Sequence, residues 1–240
     1  MRILAFETSA KAASVALADE TQIIAEYYQN CGLTHSVTLM KMAQELLTNC
    51  GLSAQEITAV ACAAGPGSFT GVRIGTAAAK GFAWGRELPC YGISTLEAMA
   101  WQASEFEGVI CCAMDARREQ IYHALFRCTG GTLTRMTEDC AISLDELAQE
   151  LKKIEIPKIM VGDGGLLCYN TVGKVVSGCS LAPEHRRMQR ASGVALAARE
   201  RICSGAVGDG AALVPNYLRL SQAERERAER LRTEKENVNG

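Results

Sequence analysis

The sequence predicts an α/β protein made of two similar lobes, each with a mixed sheet flanked by helices. The order strand, strand, strand, helix, strand occurs twice, and the acids that end the first strands, Glu7 and Asp115, lie 108 residues apart. In addition, 48% of the 240 residues are apolar, enough to fill a core in each lobe. We therefore expect one lobe over residues 1–103, a second over 108–220 and a charged helical tail over 221–240.

The first copy opens with an apolar strand that ends in Glu7, followed by a polar turn and a second strand that reaches Leu17. Alternating apolar residues and a helical periodicity then predict the other elements. They are a strand over residues 22–28, a helix over 34–50 and a strand over 58–64.

The second copy repeats this pattern with a strand that ends in Asp115 and a partner strand that reaches Leu125. In each copy the Ala-Leu pair ends ten residues beyond the acid, so one hairpin is predicted to be used twice. The remaining predicted elements are a strand over 132–136, a helix over 143–153 and a strand over 158–161.

A glycine-rich run, Gly65-Pro-Gly-Ser-Phe-Thr-Gly-Val-Arg-Ile-Gly75, connects the strand over 58–64 to a helix that is predicted to reach Trp84. Ser68 is the predicted N-cap of this helix. Free backbone N–H groups and the positive end of the helix dipole at such a turn favour an anion. However, the run lacks the Lys-Ser/Thr pair of a P-loop and does not fit Gly-x-Gly-x-x-Gly.

Inside that helix, Gly71, Gly75 and Ala79 recur at every fourth position. Because each interior glycine costs about 1 kcal/mol relative to alanine, the repeat indicates that something packs very close to this face. The candidates are the protein's own sheet, a neighbouring helix, or an anion or nucleotide.

Two further helical patterns bear on contacts with other molecules. The helix over 34–50 carries an apolar stripe wider than one sheet contact needs, which favours a second surface. The run over 222–232 is strongly charged and predicts either a solvated helix or a docking tail. The apolar stripe consists of Val37, Met40, Met42, Ala43, Leu46 and Leu47.

Two lobes with an acid at the end of each first strand resemble the actin, sugar-kinase and Hsp70 superfamily, in which two ribonuclease-H-like lobes bind ATP in the cleft between them. In chemical terms Glu7 and Asp115 are then candidate metal ligands or general bases. Against this, the hairpin turns contain no glycine, and Asp115 lies close to Arg117 and Arg118, which favours a structural ion pair.

Other motifs give weaker signals. Ser68 lies outside a Gly-x-Ser-x-Gly elbow and is better explained as an N-cap. The Gly162-Asp-Gly-Gly165 segment is either an adenosine or phosphate turn or an ordinary Asp-Gly turn. Trp84 and Trp101 are expected in the core or in an interface. The three histidines lack the spacing of a zinc site.

Composition limits the class of protein. Eleven cysteines without a Cys-x-x-Cys motif are expected to be mostly reduced core residues. A net charge of −2 gives no general attraction to nucleic acid, so any RNA contact is expected to be indirect or local. The N-terminus does not resemble a signal peptide and no apolar run approaches the length of a membrane span, so we expect a cytoplasmic protein.

Several segments carry a more specific resemblance when they are taken together. They are residues 1–9, His35-Ser36, the run 65–75 with Ala79-Lys80-Gly81, Met114-Asp-Ala-Arg117 with Tyr122, and Pro215-Asn-Tyr-Leu-Arg219. In this combination the chain resembles the TsaB (YeaZ) family over nearly its whole length.

That resemblance implies an accessory subunit for threonylcarbamoyladenosine formation on the adenosine beside the anticodon of ANN-decoding tRNAs. It implies a complex with the catalytic paralogue TsaD and the ATPase TsaE, and a homodimer in their absence. ATP and metal are expected on those partners and no cofactor on this chain. In TsaD a His-x-x-x-His pair binds the metal, and the similar segment here has Thr95 and Met99 at those places.

The resemblance also implies that the helices of the first lobe form the contact with the partner. The expected interface residues are Val37, Met40, Ala43, Leu47, Phe69, Gly71, Arg73, Ile74, Gly75 and Ala79. Residual anion or nucleotide binding stays open at Glu7, Thr8, Ser9, Gly65, Gly67 and Ser68. The competing hypotheses are a small-molecule kinase or ATPase of the same superfamily and, more remotely, a glycoprotease, which the residues give no zinc site or nucleophilic triad to support.

Overall fold

Two mixed β-sheets flanked by helices form the computed structural model of the protein, which describes residues 1–117 and 119–219. The predicted fold class is confirmed. The predicted tail over 221–240, with its charged run over 222–232, lies outside the described residues. Among the described helices, none has both the length and the apolar composition needed to cross a membrane.

The first sheet has five strands in the order β3-β2-β1-β4-β5. Its strands are β1 (Ile3–Glu7), β2 (Ala13–Ala18), β3 (Ile23–Gln29), β4 (Ala59–Gly65) and β5 (Cys90–Ser94). The helices that follow these strands are α1 (His35–Asn49), α2 (Phe69–Trp84) and α3 (Thr95–Gln102), with a 3₁₀ turn at Ala54–Glu56.

The second sheet has the order β11-β10-β6-β7-β8, and β9 pairs with β7. Its strands are β6 (Gly108–Asp115), β7 (Gln120–Thr129), β8 (Thr132–Arg135), β9 (Cys140–Ser143), β10 (Lys158–Val161) and β11 (Cys179–Leu181). The helices of this half are α4 (Leu144–Lys152), α5 (Gly165–Thr171), α6 (Glu184–Arg187) and α7 (Ala191–Cys203).

The predicted repeat is confirmed in the pairing of the strands. β1 runs antiparallel to β2 and parallel to β4, and β6 runs antiparallel to β7 and parallel to β10. Glu7 and Asp115 therefore end equivalent central strands. The four-residue strand β9 has no counterpart in the first copy and is too short for a periodic signal, so the sequence pattern did not predict it.

The first sheet is covered on both faces. One face packs against α1 and α2 through residues such as Phe6 and Leu46, and the other packs against α7 through Ala5 and Val194. Helix α7 thus completes the first sheet, although its sequence range falls within 108–220. Gly193 on this helix faces the backbone of Ala98 on α3 with no room for a side chain, so the two helices pack in close contact.

Helix α3 joins the two halves of the molecule. Leu96 and Met99 on this helix are buried in a cluster with Ile110 and Phe126 of the second sheet. On the polar side, the Glu97 carboxylate lies 2.7 Å from the Arg201 guanidinium and 3.8 Å from that of Arg135. The junction between the sheets therefore combines apolar packing with a shared, partly buried carboxylate.

Candidate functional site

The start of α2 is built as the sequence predicts. The Ser68 side chain accepts a hydrogen bond of 3.2 Å from the Gly71 backbone N–H, which confirms its role as the N-cap. The Ser68 backbone N–H donates to the Ser9 carbonyl at 2.7 Å, so the cap also fixes the helix to the turn that follows β1.

The small-residue repeat on α2 faces the interior of the chain. The Thr8 hydroxyl donates a 2.8 Å hydrogen bond to the Gly71 carbonyl, and a side chain at Gly71 or Gly75 would collide with Thr8. Ala79 is fully buried in the first core. The packing alternative is confirmed, and the expectation that Gly71, Gly75 and Ala79 offer a face to a partner is corrected, because the protein's own first strand already occupies that face.

The glycine-rich turn is covered by the chain itself. The Asn216 backbone N–H donates to the Ala64 carbonyl at 2.6 Å, and the Asn216 carbonyl lies where a side chain on Gly65 would be. A side chain on Gly67 would come within 2.7 Å of Ser9. The two glycines are therefore explained by close approach of protein backbone, which at Gly65 is the backbone of Asn216.

The first-strand residues predicted for anion binding are inaccessible. Glu7, Thr8 and Ser9 are each buried within the chain. Burial raises the pKa of Glu7 to about 7, although the Ser9 backbone N–H donates to one of its carboxyl oxygens at 2.5 Å. The other Glu7 oxygen, Oε2, has no hydrogen-bond partner among the described residues. An enclosed acid whose pKa is raised to about 7 does not suit a metal ligand.

A second acid lies near Glu7 at the junction of the sheets. Burial also raises the pKa of Asp163, which accepts a 2.7 Å hydrogen bond from the buried Gln189 side chain. The negative charge of Asp163 contributes to the raised pKa of Glu7. In the Gly162–Gly165 turn, Gly162 and Gly164 are packed against the end of β6, while Asp163 is partly buried and lines the open cleft between the hairpins.

Asp115, the counterpart of Glu7, is exposed at the end of β6. Its carboxylate accepts a 2.7 Å hydrogen bond from the backbone N–H of Arg117, so for Arg117 the predicted contact with the guanidinium is corrected to a contact with the backbone. Arg118, the other arginine of that prediction, lies outside the described residues. Arg117 and Glu119 adopt left-handed φ values of 62° and 60°. The turn thus reaches this conformation without glycine, contrary to the argument from composition.

An open cleft of about 770 Å³ separates the two hairpins. It is lined at its polar parts by Lys11, Ser68, Asp115, Arg117, Tyr217 and Arg219. Of the six residues predicted for anion or nucleotide binding, Gly67 and Ser68 line this cleft, Gly65 lines a separate cavity of about 430 Å³, and the other three are enclosed.

The places that the resemblance assigns to a metal pair, Thr95 and Met99, hold core residues. Thr95 is fully buried at the start of α3, and Met99 is buried with its sulfur against Gly162. No cluster of three or more His, Cys, Asp or Glu residues with the geometry of a metal site occurs in the described part of the chain. These residues do not fit a catalytic metal.

The exposed side of α1 and α2 includes apolar residues among polar ones. Both helices lie on the same side of the first sheet and contact each other. On α1, Val37 is 60% exposed and Met40 44% exposed, whereas Ala43 and Leu47 are buried in the core. The prediction for Val37 and Met40 as available surface residues agrees with their exposure, and the same expectation for Ala43 and Leu47 is corrected because they cover the sheet.

Helix α2 presents a different set of small residues to the solvent. Ala77 and Gly81 are exposed, and nothing lies within 4 Å of the position that a Gly81 side chain would take. Trp84, at the end of the same stripe, is 80% exposed and is not a core residue, while Trp101 is half-buried. We call the exposed surface of the two helices the outward face, formed by Val37, Met40, Arg73, Ile74, Ala77 and Gly81.

Comparison with known proteins identifies the family. Residues 29–226 match the family model described as TsaD: tRNA N6-adenosine threonylcarbamoyltransferase. A Bacillus subtilis (strain 168) protein named tRNA threonylcarbamoyladenosine biosynthesis protein TsaB is 34% identical over 227 residues, which cover 93% of this chain and 96% of that protein. The chain belongs to the TsaB family. The Escherichia coli (strain K12) protein of the same name is 37% identical over 68% of this chain and 72% of its own length.

Solved structures share the fold. YeaZ from Pseudomonas aeruginosa superimposes with a TM-score of 0.74 at 22% identity and covers 90% of this chain and 99% of that one. Component A of (R)-2-hydroxyglutaryl-CoA dehydratase from Acidaminococcus fermentans gives a TM-score of 0.51 at 12% identity, over 85% and 99% of the two chains. The predicted two-lobed α/β fold is thereby confirmed, and these two similarities concern the fold alone.

Proposed function

We propose that this TsaB-family chain is a non-catalytic partner subunit of tRNA threonylcarbamoyladenosine biosynthesis. In this role it binds and supports a TsaD paralogue, together with a TsaE ATPase, in threonylcarbamoyl transfer to the adenosine beside the anticodon of ANN-decoding tRNAs. The observation that carries the proposal is the match of nearly the whole chain to a relative named for that pathway. The cytoplasm, where tRNA is modified, is the proposed location.

The absence of catalysis by this chain is supported by the residues at the equivalent places. The buried Thr95 and Met99 take the positions of the metal pair, and the acid at the end of β1, Glu7, is enclosed. At the glycine-rich turn, the backbone of Asn216 lies directly against Gly65. ATP and metal would then belong to the partner subunits, and this chain would need neither.

The outward face is the proposed contact with the partner. Val37 and Met40 expose apolar atoms there, and the small residues Ala77 and Gly81 allow a helix to approach α2 closely. A paralogue with an equivalent pair of helices could pack against this face. Without the paralogue, a second copy would use the same face, so the homodimer and the heterodimer would compete.

A kinase or ATPase of the same superfamily is the second candidate function. The observation that favours it is the cleft of about 770 Å³ between the hairpins, with Lys11, Asp115 and Arg117 in its lining. This function requires that the isolated chain turn over ATP. Because Asp115 is the exposed acid of the pair, Asp115→Asn is the informative variant for that activity, with Asp145→Asn on α4 as the control.

Reconstitution of the pathway separates the two functions. The purified chain is combined with the TsaD and TsaE proteins of the same organism, tRNA and a source of threonylcarbamoyl-adenylate, and modified adenosine is measured. The partner role predicts modification only when this chain is present, and no modification or ATP turnover by the chain alone. Modification that proceeds equally without it would contradict the proposal, and ATP turnover that Asp115→Asn abolishes would support the kinase.

A further inference from the structure

The last described residues, 213–219, form a strap that joins the two halves of the molecule. Lys80 Nζ donates to the Leu213 carbonyl at 3.0 Å, and the Asn216 N–H donates to Ala64 at the end of β4. At the other end, Arg219 Nη1 donates to the Ala116 carbonyl in the second hairpin at 2.7 Å. The strap is therefore held by the first sheet, by α2 and by the second sheet.

One side chain of the strap lies on α2. The ring of Tyr217 stacks on Phe69 with a centroid separation of 4.6 Å and an interplanar angle of 28°. Its hydroxyl accepts a 2.8 Å hydrogen bond from Arg73 Nε, and the Arg73 guanidinium lies 3.8 Å from the Phe69 ring centroid. Tyr217 is nevertheless 38% exposed, and Arg73 is exposed.

This cluster of Phe69, Arg73 and Tyr217 is continuous with the outward face. Phe69 and Arg73 lie in the first two turns of α2, and Ala77 and Gly81 continue the exposed stripe from Arg73 at the next two turns. Tyrosine and arginine are the residue types that most often dominate binding energy at interfaces. Because the stack and the hydrogen bond already fix the Tyr217 ring, little side-chain entropy would be lost on binding.

We propose that Tyr217 is an anchor of the partner surface, so that a TsaD paralogue packed on the outward face also covers the strap. This inference rests on the proposed function and adds the strap to its interface. The match of residues 29–226 to a threonylcarbamoyltransferase model includes α1, α2 and the strap, which makes a paralogue with an equivalent helix pair the fitting occupant. Because Arg219 connects the strap to the second hairpin, a partner in contact with Tyr217 would also be connected to the second sheet.

Two variants and one control test the anchor by titration calorimetry of the full chain with the purified TsaD paralogue. Tyr217→Ala should weaken binding by about 10- to 100-fold, as expected for a hot-spot aromatic. Tyr217→Phe keeps the stack on Phe69 and should weaken binding by less than about 5-fold, since one hydrogen bond is lost. Val207→Ala, in the same C-terminal part of the chain and 91% exposed, should bind as the wild type does.

Hydroxyl-radical footprinting of the unaltered chain gives a readout that does not depend on how the variants fold. Oxidation of Tyr217 should fall when the paralogue binds. Unchanged oxidation, or wild-type binding by Tyr217→Ala, would overturn the inference. A Tyr217→Ala protein that loses self-association but still binds the paralogue as the wild type does would overturn it as well. Met40→Glu distinguishes failure of this inference from failure of the proposed function. Loss of binding with this variant supports the outward face as the contact even where Tyr217 proves unimportant.

Discussion

The Thr8 hydroxyl lies where a side chain on Gly75 would be, one turn further along α2 than the Gly71 carbonyl to which that hydroxyl donates. This contact brings α2 into close contact with the end of β1. It explains why the helix retains interior glycines despite their cost, and it directs the opposite side of α2, with Ala77 and Gly81, outward.

Substitution of the two helical glycines by alanine should have opposite effects. Gly75→Ala should lower the free energy of unfolding by about 1–3 kcal/mol, because the new methyl group collides with Thr8. Gly81→Ala should raise it by up to about 1 kcal/mol, because the site is open and alanine favours a helix. Urea denaturation measures both, and a Gly75→Ala protein as stable as the wild type would show that Thr8 can move away.

Glu7 should make the stability of the protein depend on pH. Burial raises its pKa in the folded state from the usual 4.5 to about 7, so between these pH values the folded protein holds a proton that the unfolded chain releases. The contribution of Glu7 to stability is therefore complete below about pH 4.5, is lost as the pH rises to about 7, and stays lost above that.

Glu7→Gln removes this titration while it keeps an oxygen to accept from the Ser9 N–H. The variant should be more stable than the wild type at about pH 8, by up to about 3 kcal/mol, and close to it at about pH 5. Glu200→Gln, at an exposed site on α7, is the control and should leave the free energy of unfolding unchanged at both pH values. Equal destabilisation of Glu7→Gln at both pH values would contradict the assignment. The raised pKa of Asp163 should leave some pH dependence in the variant.

The buried ammonium group of Lys158 should be essential to the stability of the second sheet. Its Nζ donates to the carbonyls of Ile154, Ile156 and Ser177 at 2.7, 3.0 and 3.1 Å. Lys158→Met leaves these acceptors without that donor and should lower the free energy of unfolding by about 2–4 kcal/mol. Lys152→Met, at an exposed site on α4, should change it by less than about 0.5 kcal/mol. Similar values for the two variants in thermal unfolding would refute this role.

The elements of the fold were predictable where the sequence has strong periodicity. The hairpins that end at Glu7 and Asp115, and helix α2 with its cap at Ser68, follow from local patterns. Which side of α2 faces the sheet did not follow from the sequence, because this helix carries small residues on two sides. Gly71 and Gly75 face the sheet, while Ala77 and Gly81 face outward. A helical repeat identifies a face without saying what lies opposite it.

The site was predictable only in part for a related reason. The glycine-rich turn was predicted as a place of close approach, but Asn216, which fills it, is about 150 residues away in the sequence. Tyr217 was likewise missed as a neighbour of Phe69, because no local pattern connects the strap to α2. The sequence pointed to the strap only through its resemblance to the TsaB family, which included residues 215–219 without assigning them a contact.

The central claim is that the outward face binds the paralogue, and the binding of Met40→Glu to purified TsaD tests it most directly. The matched control is Leu166→Glu, which places the same charge at a similarly exposed apolar residue on α5, since Met40 is 44% and Leu166 46% exposed. We predict that Met40→Glu weakens binding by about 100-fold or more while Leu166→Glu binds as the wild type does, with both proteins folded by circular dichroism. Wild-type affinity of Met40→Glu, or equal loss in both variants, would contradict the account.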